Sequence, residues 1–236
     1  NMCTWAMRCL AIEDGNQLIL IDNGIGDKQS EKFFSHFYLH GDASLDGSLK
    51  KSGFSKDDVT DMFLTHLHFD HCGGGVKWQD DEHTKLDIEF RNAKYWSNQD
   101  HWKWATEPNA REKASFLKEN ILPMQESGHL NFADKGKPSP FSQFDILYAN
   151  GHTDKQMVPK IKYKDKTIVF AADLLPSVGH IPLPYVMGYD VRPLMTLDEK
   201  EKFLNEAADN KYIIFLEHDA HNECCTVKHT EKGVRL

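Results

Sequence analysis

The run His66-Leu67-His68-Phe69-Asp70-His71 decides how this chain is interpreted, because most of its side chains can bind a metal ion. It follows the apolar segment Met62-Phe63-Leu64 and precedes Gly73-Gly74-Gly75. Three imidazoles and a carboxylate at the end of a buried strand are costly to bury unless each has a partner. Neutral imidazole and carboxylate are both good zinc ligands, so the run predicts a metal site.

The spacing within this run favours two metal ions. Residues i and i+2 of an extended chain point to the same side, so His66 and His68 can approach one ion together. Asp70 and His71 are adjacent, and they either point away from that pair or curl round in the following loop. This arrangement suits two ions close together better than one.

The composition is that of a globular protein with a sizeable core. The chain has 236 residues, of which 40% are hydrophobic and 11% aromatic, and this fits one α/β domain over residues 1–236. A formal net charge of -8 disfavours a general nucleic-acid or anionic-membrane surface. No apolar run approaches the length of a membrane span. We therefore expect a small-molecule substrate and neither nucleic acid nor membrane as a partner, and we leave a homo-oligomer open.

The cysteines indicate a reducing compartment. The chain has five cysteines at irregular spacing, which is not the pattern of a disulfide framework, and we expect a cytoplasmic protein. The sequence opens at Asn1 without an initiator methionine, so upstream residues are expected and a cleaved signal peptide stays open. Cys72, which flanks the histidine run, is predicted to pack beside it rather than to act as a nucleophile.

Other candidate ligands come directly after predicted strands. Apolar, β-branched and aromatic runs predict strands at Leu18 to Asp22, Met62 to Thr65, Phe144 to Ala149, Thr167 to Phe170 and Tyr212 to Leu216. His152, Asp173 and His218 follow the last three of these strands. A site assembled from the ends of several strands is how α/β scaffolds usually present their chemistry.

Helices are expected between these strands. Residues 31–40 and 109–120 have helical patterns, and Thr196 with Glu199 fits a capping box that opens a further helix. Residues 76–140 hold four of the five tryptophans, and we interpret this segment as a partly helical cover lying near the site. The alternative is that these aromatic side chains simply fill the core.

These motifs resemble those of the metallo-β-lactamase superfamily of metal-dependent hydrolases. The matching segments stand in the superfamily's order and span most of the chain: Leu20-Ile21-Asp22-Asn23-Gly24, Thr65 to His71, Gly151-His152-Thr153, Ala172-Asp173 and His218-Asp219. The resemblance implies an α/β fold, a four-layer αβ/βα sandwich in which two mixed sheets lie face to face with helices outside. It also implies a dinuclear site at one edge of the sandwich.

The resemblance also assigns a role to each candidate ligand. It implies one metal held by His66, His68 and His152, a second held by Asp70, His71 and His218, and Asp173 as the bridge. Asp22 is implied to steady the metal-binding loop from behind. The carboxylates of Asp70 and Asp173 are the groups expected to act in catalysis. His221 is a rival for the place of His218. The expected cofactors are two divalent ions, zinc first, with manganese, iron and cobalt open.

Within the superfamily, the segment from Asp173 to Pro193 looks like that of the lactonase and methyl-parathion-hydrolase group. There too the bridging aspartate is followed by histidine, proline and aromatic residues, here His180 to Tyr185 and Tyr189-Asp190. One departure is that Gly-His-Thr continues with Asp154-Lys155-Gln156, where many relatives have Pro-Gly-His. This departure removes no ligand, but it weakens any substrate assignment taken from those relatives.

The resemblance therefore implies a hydrolase in which a metal-bridging hydroxide attacks small neutral esters, lactones or phosphotriesters. Three alternatives stay open. The first is a phosphodiesterase or nuclease of the same fold, the second is a mononuclear iron oxygenase, and the third is a metal-stabilised binding protein without activity.

Overall fold

Residues 2–236 are described by a computed structural model, in which the chain divides into two units. We call Cys9–Trp96 with Lys113–Asn131 the motif unit. Residues 2–8, Ser97–Glu112 and Phe132–Leu236 form the carboxyl-terminal unit. Among the described residues, no helix is long and apolar enough to cross a membrane. The expectation of one domain over residues 1–236 stays a prediction.

A five-stranded sheet forms most of the motif unit, in the order β1-β2-β3-β6-β7. Its strands are β1 (Leu10–Asp14), β2 (Gln17–Ile21), β3 (Asp61–Phe63), β6 (Lys94–Ser97) and β7 (Leu130–Phe132), and a separate hairpin pairs β4 (Val76–Trp78) with β5 (Leu86–Ile88). Strands β2, β3 and β6 run parallel. Strands β2 and β3 are almost continuously apolar and buried, as central parallel strands usually are.

The α-helices of the described chain are, in order, α1 (Glu31–Phe34), α2 (Leu45–Lys51), α3 (Phe69–Cys72), α4 (Gln99–Thr106), α5 (Lys118–Glu126) and α6 (Pro193–Asn210). The helix predicted over residues 31–40 is therefore a single turn, and the one predicted over 109–120 begins later. The helix predicted from Thr196 starts at Pro193, because proline at the first position of a helix has its φ angle already set. Glu199 makes other bonds, described below, in place of a capping box.

The carboxyl-terminal unit contains the second five-stranded sheet, in the order β12-β11-β10-β9-β8. Its strands are β8 (Phe144–Ala149), β9 (Gln156–Tyr163), β10 (Lys166–Phe170), β11 (Ile213–Phe215) and β12 (Cys224–Cys225), and a terminal hairpin pairs β13 (Lys228–Thr230) with β14 (Gly233–Arg235). Strands β10 and β11 are parallel neighbours, and α6 lies in the connection between them. Phe203, Leu204 and Ala207 of α6 join the buried core of this unit.

The segment predicted to be a tryptophan-rich cover, residues 76–140, supplies strands β6 and β7 as well as helices α4 and α5. Its four tryptophans are partly buried, and three of them donate their indole N–H to a protein oxygen. Aromatic rings with one polar edge commonly occupy such half-buried places. The segment is thus partly scaffold and partly surface.

Candidate metal centre

The histidine run begins where β3 ends. It forms a short loop and then the single turn α3, whose N-cap residue is His68. His66 and His71 are fully buried, and His68 is 7% exposed. The Asp70 side chain keeps 26% of its surface in contact with solvent. The run therefore places its histidines inside the motif unit and leaves one carboxylate accessible.

Asp22, which directly follows β2, holds this loop in place. Its carboxylate accepts hydrogen bonds from the Thr65 backbone N–H (2.7 Å) and the Thr65 hydroxyl (2.6 Å). The same carboxylate lies 2.9 Å from Nδ1 of His71. A carboxylate on one ring nitrogen fixes the imidazole tautomer and directs the other nitrogen toward a metal. In this structure Nε2, the other ring nitrogen of His71, faces the Asp70 carboxylate, with Oδ2 at 3.8 Å.

The first two histidines of the run converge through their ring nitrogens. His66 Nε2 lies 3.1 Å from His68 Nδ1, and His66 Nδ1 lies 3.1 Å from the Thr65 hydroxyl. Two ligand atoms on a tetrahedral zinc with bonds of about 2.0–2.1 Å are about 3.3 Å apart. The observed separation is close to that value, so the two nitrogens could bind a common ion.

The glycines after the run let another loop approach closely. A Cβ atom on Gly73 would lie 2.1 Å from the carbonyl oxygen of Ile25, and one on Gly74 would lie 2.3 Å from that of Asn23. The Asn23 backbone N–H also donates to the His71 carbonyl at 2.9 Å. The glycines are therefore required for the contact that supports the histidine run from its far side.

The carboxyl-terminal unit contributes a second group of candidate ligands. His152 follows β8, Asp173 follows β10 and His218 follows β11, as the strand pattern predicts. The two Asp173 carboxylate oxygens face different rings: Oδ2 lies 3.0 Å from His152 Nε2, and Oδ1 lies 2.9 Å from His218 Nε2. A carboxylate that presents one oxygen to each side is suited to bridge two ions.

Each of these histidines has its other ring nitrogen bonded to a protein oxygen. His152 Nδ1 lies 3.0 Å from Asp190 Oδ1, and His218 Nδ1 lies 2.8 Å from the Ala6 carbonyl oxygen. Both rings are buried. Burial lowers the pKa of His152, but the Asp173 and Asp190 carboxylates outweigh burial and raise that pKa to about 9.

Helix α6 positions the loop that carries His152. The Glu199 carboxylate accepts the backbone N–H groups of Asn150 and Gly151, at 2.9 Å each. A Cβ atom on Gly151 would lie 2.3 Å from the Thr196 hydroxyl oxygen, so the loop requires glycine at this point. The first turns of α6 thus fix the position of the loop between the end of β8 and His152.

The structure brings the predicted ligands together within each unit. Two groups are found: the motif unit contains His66, His68, Asp70 and His71, and the carboxyl-terminal unit contains His152, Asp173 and His218.

His221, the rival of His218, is exposed, and its backbone N–H donates to the Asp219 carboxylate. Cys72 is buried, and burial raises the pKa of its thiol to about 12, which fits a packed residue. The contact of Asp190 with His152 was not predicted, because Asp190 stands out in the sequence only within a motif and no ligand spacing or strand end marks it.

The donor set of both groups fits divalent ions of the zinc type. It consists of imidazole nitrogens and carboxylate oxygens, without thiolates. Four of the histidines have one ring nitrogen on a protein oxygen, from Thr65, Asp22, Asp190 and Ala6 respectively. Such outer partners accompany nearly every metal-binding histidine. The arrangement of these residues is therefore compatible with metal binding.

Comparison with known proteins agrees with this chemistry. A profile described as the metallo-beta-lactamase superfamily matches residues 8–218. An N-acyl homoserine lactonase from Bacillus thuringiensis is 23% identical, over 94% of this chain and 84% of its own length. A probable metal-dependent hydrolase from Staphylococcus aureus has a similar structure, with a TM-score of 0.85 and 23% identity, covering 98% of this chain and 81% of the other.

A further solved structure is that of AidC, a dizinc quorum-quenching lactonase in complex with a product. It is 26% identical to this chain, with a TM-score of 0.78, and the alignment covers 98% of this chain and 78% of AidC. The fold class and the candidate ligands together define a metal-dependent hydrolase. The chain belongs to the metallo-β-lactamase superfamily, and the α/β fold expected from its motifs is confirmed.

Proposed function

We propose that this hydrolase binds two divalent metal ions, zinc first, and acts on small neutral esters, lactones or phosphotriesters. The observation that carries the proposal is the pair of ligand groups at strand ends, one in each unit, with Asp173 presenting one carboxylate oxygen to each of two histidines. In the proposal, His66, His68 and His152 hold one ion, Asp70, His71 and His218 hold the other, and Asp173 bridges them.

Bound divalent ions supply two effects, since they lower the pKa of water and polarise a carbonyl or phosphoryl oxygen. The chain's own residues then orient the reactants and move the proton. Asp70 is the carboxylate with solvent access, so we assign it the proton that water loses as its oxygen attacks the acyl carbon. The same carboxylate returns that proton to the leaving alkoxide, and the products are an acid and an alcohol.

The surroundings of the ligands favour uncharged, partly apolar substrates. In the motif unit, the Phe69 ring packs against Phe33 (5.3 Å between centroids) and Phe37 (5.0 Å), and Phe37 is 41% exposed. In the carboxyl-terminal unit, the Trp5 ring lies 4.9 Å from that of His218, and its other neighbour Tyr189 is largely exposed. Exposed aromatic side chains beside ligands suit an apolar substrate arm.

Two positively charged side chains of the carboxyl-terminal unit near these ligands, Arg192 and Lys200, already bind other protein groups. Arg192 donates to the Asn150 carbonyl (2.6 Å) and the Asp154 carboxylate (3.0 Å) and lies over the Trp104 ring. Lys200 is buried and donates to backbone carbonyls. A phosphodiester polyanion needs several lysine or arginine contacts to neutralise it. This arrangement therefore favours neutral substrates over nucleic acid.

The test combines metal quantification with a substrate panel. The purified protein is assayed at matched metal loading on N-hexanoyl homoserine lactone, an aryl acetate, an aryl phosphotriester, a β-lactam and an aryl phosphodiester. We expect two zinc ions per chain and a kcat/KM for the lactone or ester at least about tenfold above that for the phosphodiester. A preference for the phosphodiester supports the nuclease alternative, and one iron with oxygen consumption supports the oxygenase.

A matched pair of variants controls this experiment. His218→Ala removes a buried ring that faces Asp173, whereas His221→Ala removes an exposed ring three positions further on. We expect His218→Ala to lose zinc and activity together, and His221→Ala to stay within about twofold of the wild type. Loss of zinc in the His221 variant instead would contradict the ligand assignment.

A further inference from the structure

His152 contacts two aspartates, Asp173 through Nε2 and Asp190 through Nδ1. Asp190 lies on the side of the ring away from the candidate metal centre. We propose that Asp190 is a positioning residue that selects the tautomer and direction of the His152 ring, and that Lys200 holds the Asp190 segment in place. We call residues 177–190 the strap. The inference rests on the proposed metal binding, but it concerns side chains that touch no substrate.

Asp190 is held through one carboxylate oxygen and through its backbone. Its carboxylate oxygen Oδ1 lies 3.0 Å from His152 Nδ1, and the residue is 1% exposed. Its backbone N–H donates to the Met187 carbonyl at 3.2 Å, and its own carbonyl accepts from Arg111 at 3.1 Å. The next N–H, that of Val191, returns to the His152 carbonyl at 3.2 Å. Backbone and side chain thus both connect this point of the strap to His152.

Lys200 fastens the strap to α6 from the inside. The lysine is 1% exposed, and its ammonium donates to the carbonyl oxygens of His180 (3.0 Å), Pro182 (3.5 Å) and Tyr185. An ammonium has three donors, and here all of them are taken by one segment of chain. Burial lowers the pKa of Lys200 to about 8, while Asp190 opposes that effect.

The chemistry explains why a carboxylate is needed at position 190. An anionic acceptor on Nδ1 keeps a proton on that nitrogen, so Nε2, which lies 3.0 Å from Asp173, is the ring nitrogen left to bind a metal ion. It also makes the ring a stronger electron donor to a metal. An amide in place of the carboxylate can present its NH₂ group to Nδ1, and that contact favours the tautomer with the proton on Nε2. Of the two side chains, only the carboxylate of aspartate disfavours the tautomer with the proton on Nε2.

The experiment measures zinc binding without any substrate. Asp190→Asn is compared with Asp198→Asn, an exposed aspartate on the first turns of α6, and Lys200→Met with Lys202→Met, an exposed lysine on the same helix. Zinc affinity is read by competition with a chromophoric chelator, and ligand geometry by the visible spectrum of the cobalt-substituted protein. We expect Asp190→Asn to bind zinc about 10–100-fold more weakly with an altered cobalt spectrum, and Asp198→Asn to match the wild type.

The result that overturns the inference is an Asp190→Asn protein whose Tm stays within about 3 °C of the wild type while its zinc affinity and cobalt spectrum are unchanged. If Asp190→Asn does not fold, the zinc affinity of Lys200→Met decides whether the inference stands. Weaker zinc binding than in Lys202→Met supports the role of the strap, and equal binding refutes it. A wild-type protein that binds zinc but hydrolyses no lactone or ester refutes the proposed substrate class and leaves this inference standing.

Discussion

Four of the candidate ligand histidines have a protein oxygen beside one ring nitrogen. The outer partners are of different kinds: a carboxylate for His71 and for His152, a hydroxyl for His66 and a backbone carbonyl for His218. Charged acceptors bind a ring N–H more strongly than neutral ones do. We therefore expect the two aspartate-supported histidines to depend most on their partners.

Asp22→Asn tests this expectation in the motif unit. The change weakens the bond to His71 and disturbs both bonds to Thr65, so we expect zinc affinity to fall about 10–100-fold. Chelator competition measures the affinity. Asp27→Asn, at an exposed position five residues further on, is the matched control and should bind zinc like the wild type. Equal affinities of the two variants would show that Asp22 has only a packing role.

Asp173→Ala and Cys72→Ala separate metal chemistry from thiol chemistry. Removing Asp173 removes the carboxylate that faces two histidines, so we expect kcat/KM to fall by more than about 100-fold, beyond the usual effect of an outer partner. Cys72 is buried with a raised thiol pKa, so its loss should change kcat/KM by no more than about twofold. Comparable losses in both variants would point to a cysteine nucleophile.

At the scale of elements, the supports of the candidate centre come from contacts that are distant in sequence. The loop after β2 lies against the glycines that follow α3, and the first turns of α6 hold the end of β8. Such contacts leave little room for added atoms, because protein interiors are close-packed.

Gly73→Ala tests the contact behind α3. Its Cβ would fall 2.1 Å from the Ile25 carbonyl oxygen, so backbone must move, and we expect a loss of about 1–3 kcal/mol in the free energy of unfolding. Urea unfolding provides the measurement. Gly188→Ala is the control, because a Cβ there meets nothing within 4 Å. A Gly73→Ala protein as stable as Gly188→Ala would mean that the loop after β2 can move away at little cost.

The predictable elements are those whose pattern is local. Strands β8, β10 and β11 lie within about two residues of their predicted limits, since apolar runs bounded by turn residues carry that information. The helix predicted over 109–120 is instead α5, which begins at Lys118 and includes Pro123. Packing overrides propensity there, because proline is disfavoured in a helix interior.

The same distinction applies to the candidate site. Residues with ligand chemistry at strand ends, such as His152 and Asp173, were predictable from type and position. The role of Asp190 was not predictable, because its partner is His152, 38 residues away, and neither the type nor the spacing of an outer carboxylate is constrained. Glu199 was misassigned for a similar reason: its carboxylate accepts N–H groups from residues 48 and 49 positions earlier.

At the scale of the whole molecule, two divalent ions would offset half of the formal net charge of -8. We expect each zinc ion to stabilise the protein by about 4 kcal/mol at a free concentration 1,000 times its Kd, because it binds the folded chain. For a chain of this length that corresponds to a rise in Tm of roughly 8–16 °C, which excess chelator should reverse. Calorimetry at several zinc concentrations measures it.

The calorimetric curve also tests the prediction of one domain. If ligands from both units share the ions, zinc should move a single transition as a whole. Magnesium, which prefers oxygen ligands and octahedral geometry, is the control and should leave Tm almost unchanged. Two transitions, of which zinc moves one, would show that the units unfold independently and that a single unit holds the metal.

The bond between His218 and the Ala6 carbonyl has a consequence for how the protein is made. Backbone N–H groups of Ala6 and Arg8 also donate to the carbonyls of His218 and Glu217, at 3.2 Å each. These partners are 212 residues apart. At about 5–20 residues per second, the ribosome adds the later partner roughly 10–40 s after the earlier one. The early segment therefore gains these partners only after the 212 intervening positions have been added, and the full set of candidate ligands exists only once His218 has been synthesised.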